Sequence, residues 1–146
     1  MKKNKGFTLI ELMVTIAVLA IIATMAAPSF GDLLQKQNLN RSTQELIGQL
    51  NNARSKAVLE RREVVVVLNS LNADTPTQLN WSPQGEAILK TSSPTIITFQ
   101  LNGGVRDFAT NISGQPFIIC NESGGNKSKN ISLSLMGILQ VTEGTC

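Results

Sequence analysis

Glu11 stands four residues after Phe7, inside a run from Phe7 to Ala27 in which it is the only charged side chain. If the chain is cut between Gly6 and Phe7, the new α-amine is a cation at the head of a helix. Glu11 is then a carboxylate one turn away, poised to pair with that amine or with the amine of a neighbouring chain. An acid in the first helical turn is also favoured by the macrodipole. Within a bilayer an ionisable group costs about 2.5 to 3.5 kcal/mol on insertion scales, and it marks function by default. Breaking a buried ion pair costs about 3 to 5 kcal/mol, enough for such a pair to set the stagger between adjacent helices. The alternative is a helix that simply tolerates Glu11 near the interface.

Little else in the chain offers chemistry. It has neither histidine nor tyrosine, which removes the commonest general base, imidazole metal ligands and a Ser-His-Asp arrangement. No catalytic set, metal site or cofactor is expected. Glu60 and Glu63 flank Arg61 and Arg62 and read as a solvated corner between a helix and a strand. The stretch SGGNKSK lacks the Gly-x-x-x-x-Gly-Lys spacing of a phosphate loop and reads as a hairpin loop. Arg54, Lys56, Arg61 and Arg62 form a basic cluster that could meet a partner subunit or DNA. Phosphate-driven affinity grows with the number of cations presented together, and five Phe and one Trp in the whole chain offer little base stacking. DNA is therefore possible but not favoured.

A length of 146 residues suggests one globular domain with an appendage. Of thirteen Lys and Arg, three (Lys2, Lys3 and Lys5) open the chain, which leaves ten against ten Asp and Glu from Phe7 onward. The basicity belongs to residues 1–6, and the body is formally neutral. As a helix, Phe7 to Ala27 is roughly 30 Å long, enough to cross a bilayer core. The preceding lysines favour a cytoplasmic N-terminus, with everything after Ala27 on the far side. A secretory signal would have a shorter apolar core followed by a small-residue cleavage site. On the far side, Cys120 and Cys146 have one intramolecular pairing available, which would tie down the C-terminus for about 3 to 4 kcal/mol. The alternative is two free buried thiols.

After Pro28 the pattern turns amphipathic. Leu39, Thr43, Leu46, Leu50, Ala53 and Ala57 recur at spacings of three and four, with Ile47 beside them, and mark one apolar helical face. A helix from about Thr8 to Leu59 is expected, kinked at Pro28, whose missing N–H breaks the ladder. EVVVVLN then reads as an interior strand. LNWSPQGEAIL reads as a hairpin, with Pro83 and Gly85 at the second and fourth places of a type I turn. TIITFQL and PFIIC read as strands, with Asn102-Gly103-Gly104 turning the chain after the first and the loop NESGGNKSKN following the second. Ile131, Leu133 and Leu135 alternate with serines as a half-buried strand, and Gly137 turns that strand into ILQV. The fold class expected is α+β: a long N-terminal helix whose second half packs on a small antiparallel sheet.

The stretch KNKGFTLIELMVTIAVLAIIATMAAPSF resembles the N-terminus of type IV prepilins. That resemblance implies cleavage between Gly6 and Phe7 by an inner-membrane prepilin peptidase, N-methylation of Phe7, Glu11 as the assembly carboxylate and Pro28 as the family's helix-kinking proline. The domains it implies are a cleaved leader (1–6), a transmembrane and filament-core helix (7–28) and a periplasmic pilin head (29–146). A second stretch, LIGQLNNARSKAVLERREVVVV, resembles the helix-to-first-strand segment of the FimT/FimU and GspH group of minor pilins and pseudopilins. There an Ala-Arg pair and a basic loop stand where Ala53-Arg54 and Arg61-Arg62 stand here.

The expected function is that of a minor type IV pilin, not an enzyme, which helps prime or cap a pilus. Its partners would be other minor and major pilins, prepilin peptidase, the inner-membrane assembly machinery and, before assembly, membrane lipid. Its place would be the inner membrane, single-pass with the head in the periplasm, and then the pilus. Alternatives are a type II secretion minor pseudopilin, a DNA-binding competence pilin, and a simple membrane-tethered periplasmic domain. Relatives that bind DNA carry an arginine-rich C-terminal segment, whereas this chain ends LQVTEGTC.

Overall fold

The computed structural model describes residues 7–146, apart from the side chains of residues 26–29. Gly6 and the side chain of Pro28 lie outside the described residues, and the expected kink falls with them. The chain forms two compact units that divide after Leu34. The first is the N-terminal part of helix α1 (Leu9–Glu60). From Phe7 to Met25 every residue is exposed, with no packed face. Thr15 and Thr24 donate their hydroxyls to the carbonyls of Leu12 and Ile21, both at 2.8 Å. These bonds let two hydroxyls sit in an apolar helix without an outside partner.

The second unit, Gln35–Cys146, holds the rest of α1 and two sheets. The expected heptad-like spacing is the face that packs: Leu39, Thr43, Leu46, Leu50, Ala53 and Ala57 are all buried. Ser42 is buried as well, and its Oγ accepts the Gln84 N–H at 2.8 Å. The helix residues share one core with Val64, Val66, Ile97, Phe99, Phe117 and Ile131.

Seven strands follow the helix. They are β1 (Val64–Leu68), β2 (Gln78–Trp81), β3 (Ile88–Leu89), β4 (Ile96–Phe99), β5 (Phe117–Cys120), β6 (Ser128–Leu133) and β7 (Leu139–Gly144), with a short helix α2 (Phe108–Asn111) between β4 and β5. They form two sheets where the sequence suggested one. The order is β2-β1-β4 in the first and β3-β5-β6-β7 in the second. β1 is interior, as its unbroken valines imply.

β2 runs parallel to β1, in register Val65↔Gln78 to Leu68↔Trp81. Side chains build the return that makes this possible. The Asn80 N–H donates to Asp74 Oδ1 at 2.7 Å, its Nδ2 donates to the Ala73 carbonyl at 3.1 Å, and its Oδ1 accepts the Ser70 hydroxyl at 2.9 Å. The first of these bonds also occupies an outward N–H of β2, which an open sheet edge would leave unpaired.

The hairpin expected across Leu79 to Leu89 does not form, because β2 and β3 belong to different sheets. The turn falls two residues later than expected, closed by Ala87 N–H to the Gln84 carbonyl at 3.2 Å. Its Gly85 has φ of 62° and lies so close to Asn38 that a Cβ would meet the amide. Ser42 and Asn38 thus pin this segment on α1, and the chain crosses from one sheet to the other.

The antiparallel β5-β6-β7 ladder matches the expected strands, although β6 begins at Ser128 and shortens the loop before it. Cys120 and Cys146 are joined in a disulfide, so both cysteines are accounted for and no thiol is free. The bond returns the C-terminus to the end of β5. On the β6–β7 surface Lys129 Nζ donates to Glu143 Oε1 at 2.6 Å, and that bond and charge hold the Glu143 carboxyl below the usual carboxylate range. The pair contributes at neutral pH, and its contribution is lost as the pH falls through that lowered value.

Candidate functional site

The chemistry-bearing end of α1 begins at Thr8. Its Oγ1 accepts the Glu11 N–H at 3.3 Å, and its carbonyl accepts the Leu12 N–H at 3.2 Å. Thr8 is therefore the N-cap and Glu11 the third helical residue, the Thr-x-x-Glu spacing of a capping box with the threonine half of the box formed. Sequence reasoning missed this role, although the spacing was there to read. The cap fixes where the helix starts and places the Glu11 carboxylate in its first turn, where the positive end of the dipole favours an anion. The Glu11 side chain is exposed and has no ion-pair partner among the described residues.

Around it the helix is apolar on every side. The large apolar side chains from Phe7 to Met25 are between 49% and 80% exposed, and the segment reaches a mean hydropathy of 2.4. By length and composition this helix can cross a membrane. A helix hydrophobic all round is stable only inside a bilayer or inside a bundle of other helices. A single carboxylate near its front is then the one charged side chain from Phe7 to Met25 able to make an ionic contact.

The residues of the basic cluster hold different local positions. Arg54 lies along α1 with its Nε donating to the Gly103 carbonyl at 3.2 Å. Lys56, two positions on, faces another side of the helix. Arg61 has φ of 51°, a left-handed residue just past the helix end. The Arg62 N–H reaches back to the Ala57 carbonyl at 3.3 Å, the six-to-one bond of a Schellman stop. Arg62 itself is committed, paired with Glu60 and donating to the Pro76 carbonyl at 3.1 Å. Glu63 pairs with Arg106 at 2.6 Å. The corner is an ion-paired helix stop. Among the described residues no three His, Cys, Asp or Glu are grouped to hold a metal.

Comparison with known proteins agrees with the N-terminal geometry. The prokaryotic N-terminal methylation motif matches residues 1–27. A fimbrial protein of Pseudomonas aeruginosa is 40% identical over 65 residues, which cover 44% of this chain and 42% of that protein. The chain thus aligns with under half the length of that relative. The type IV major alpha-pilin of Moraxella bovis is 30% identical across 100% of this chain and 86% of its own length. The type II secretion system protein H of Pseudomonas aeruginosa is 25% identical over 88% of this chain and 71% of its own. No solved structure matches significantly. With a capped apolar helix, a disulfide-closed head carrying its own core, and a likeness to an alpha-pilin that runs the full length of this chain, the chain belongs to the type IV pilin family.

Proposed function

We propose that this chain is a minor pilin of the FimT/FimU and GspH-like group, made as a prepilin and assembled into the priming or tip complex of a pilus. Prepilin peptidase cuts between Gly6 and Phe7, and Phe7 is N-methylated. Before assembly the helix from Phe7 onward spans the inner membrane, with its N-terminus in the cytoplasm and the head in the periplasm. During assembly the same helix leaves lipid for a bundle of neighbouring pilin helices. Glu11 meets the cationic amine of a Phe7 there, its own or a neighbour's, and the pair with a neighbour's amine fixes the stagger. The kinking role of Pro28 belongs to the same reading.

One observation carries the proposal. The described part of the helix before residue 26 is exposed and apolar all round, whereas the head completes its core without it. The segment is surplus to folding and has to be satisfied elsewhere. Its lone acid is misplaced for a plain anchor and well placed for pairing with a liberated chain start. The test is Glu11→Ala in the full chain. Insertion and cleavage should proceed, while the subunit's recovery in sheared filaments should fall by more than tenfold. Normal recovery of the mutant subunit would reject the assigned role.

Likeness to the type II secretion system protein H over most of both chains favours a second reading, a minor pseudopilin of a secretion system. Every N-terminal step is the same in that case. Co-purification with pilus components or with secretion components separates the two.

A further inference from the structure

The end of α1 remote in sequence from the apolar span carries a second unpartnered surface. Along its last three turns, one stripe of α1 (Leu50, Ala53, Ala57) is buried in the core. A different stripe holds Arg54, Val58 and Leu59, which line a surface hollow of about 360 Å³ with Asn51 and Ser55. Two glycine turns abut this stripe. A Cβ on Gly103 would lie 3.1 Å from the Val58 side chain, and one on Gly137 would lie 2.8 Å from both the Gly103 carbonyl and the Arg54 side chain. The Leu135 carbonyl accepts the Val105 N–H at 3.0 Å and locks the two turns together.

On this frame six large apolar side chains face outward. Val58 is 46% exposed, Leu59 82%, Leu101 51%, Leu135 54%, Met136 60% and Ile138 64%. Apolar side chains scattered singly are ordinary, but a contiguous group on three segments marks an interaction site. In its midst Arg54 spends Nε on Gly103 and has no carboxylate partner among the described residues.

Resting on the pilin reading above, we infer that this face docks a different pilin-type subunit through an aliphatic surface that carries an Asp or Glu side chain for Arg54. Charge decides the occupant. A second copy meeting this patch by two-fold symmetry would set Arg54 against Arg54 and bring no acid, since the patch contains none. A partner with an apolar anchor and a carboxylate satisfies both the aliphatic groups and the free guanidinium donors, and arginine is among the residues enriched at energetic centres of interfaces. Nucleic acid would leave the six aliphatic groups without a use.

The test uses the full-length chain in its own cell, with a benzophenone photo-crosslinking residue in place of Leu59 or, separately, Met136, and a control at exposed Gln140 on β7. The account expects adducts from both patch positions to a protein that mass spectrometry shows to have a prepilin-type N-terminus, and at least tenfold less from the control. Arg54→Glu should cut the adducts at least tenfold. Ile138→Asp, at a fully outward position, should do the same and stands in if the first variant fails to fold. The mature N-terminus is determined on the same sample. A start at Phe7 without patch adducts overturns the docking face and leaves the pilin reading standing. Adducts only to a second copy, to lipid or to DNA overturn it equally.

Discussion

The two halves of α1 have the same backbone and opposite destinations for their apolar groups. From Phe7 to Met25 those groups surround the axis and none is buried. From Leu39 to Ala57 they are confined to one side, and that side is the core of the head. The contrast shows that periodicity, not hydrophobicity, reveals where a helix finds its partner. A stripe is answered from within the chain. An all-round coat calls for something outside it, lipid or other helices.

Replacements in each half break or sharpen the contrast. Leu50 is wholly buried, and Leu50→Ala should lower unfolding free energy by about 2 to 5 kcal/mol. The fluorescence of Trp81, the chain's single tryptophan and itself buried, reports this during denaturation of the full chain in detergent. Ile16→Ala removes an equally apolar group from the other half. It should leave that midpoint unchanged while reducing recovery in filaments; a shift like that of Leu50→Ala would mean that Ile16 contributes to the stability of the folded chain.

The next effect is that of the disulfide. Cys146→Ser should destabilise the head by about 2 to 4 kcal/mol, since the bridge closes a 26-residue span around β6 and β7. Refolding without change in midpoint would show that β7 is held by its ladder alone.

Smallest is Arg61→Gly. The helix stops on a left-handed residue, a conformation that costs most L-residues about 1 kcal/mol and suits glycine. Stability should rise by up to about 1 kcal/mol, and a loss would show that the Arg61 side chain makes a contact worth more than the backbone relief.

Legibility in the sequence followed the range of the interactions. The core face of α1, the interior strand at the valine run and the partners Cys120 and Cys146 were readable, because spacing or elimination decides each of them locally. The parallel β1–β2 pair was not. It depends on a return segment organised by Asn80 through Asp74, Ala73 and Ser70, and no period betrays such a knot of side-chain bonds. Nor was the second sheet, since Pro83 and Gly85 signal a turn without saying which sheet the chain enters next. Leu135 continued the alternation of Ile131 and Leu133, yet the Gly137 turn lifts it into solvent, where it joins the exposed face around Arg54. The basic cluster was visible as composition, but only coordinates show that one arginine ends the helix and another is ion-paired. At the front of α1 the acid was seen at once, and its capping threonine was overlooked.

The central claim is that Glu11 awaits a cationic chain start that exists only after the first six residues are removed. Intact-mass and N-terminal mass spectrometry of the native protein test it most directly. The account predicts a mature chain beginning at N-methylated Phe7, whereas a chain still beginning at Met1 would contradict it.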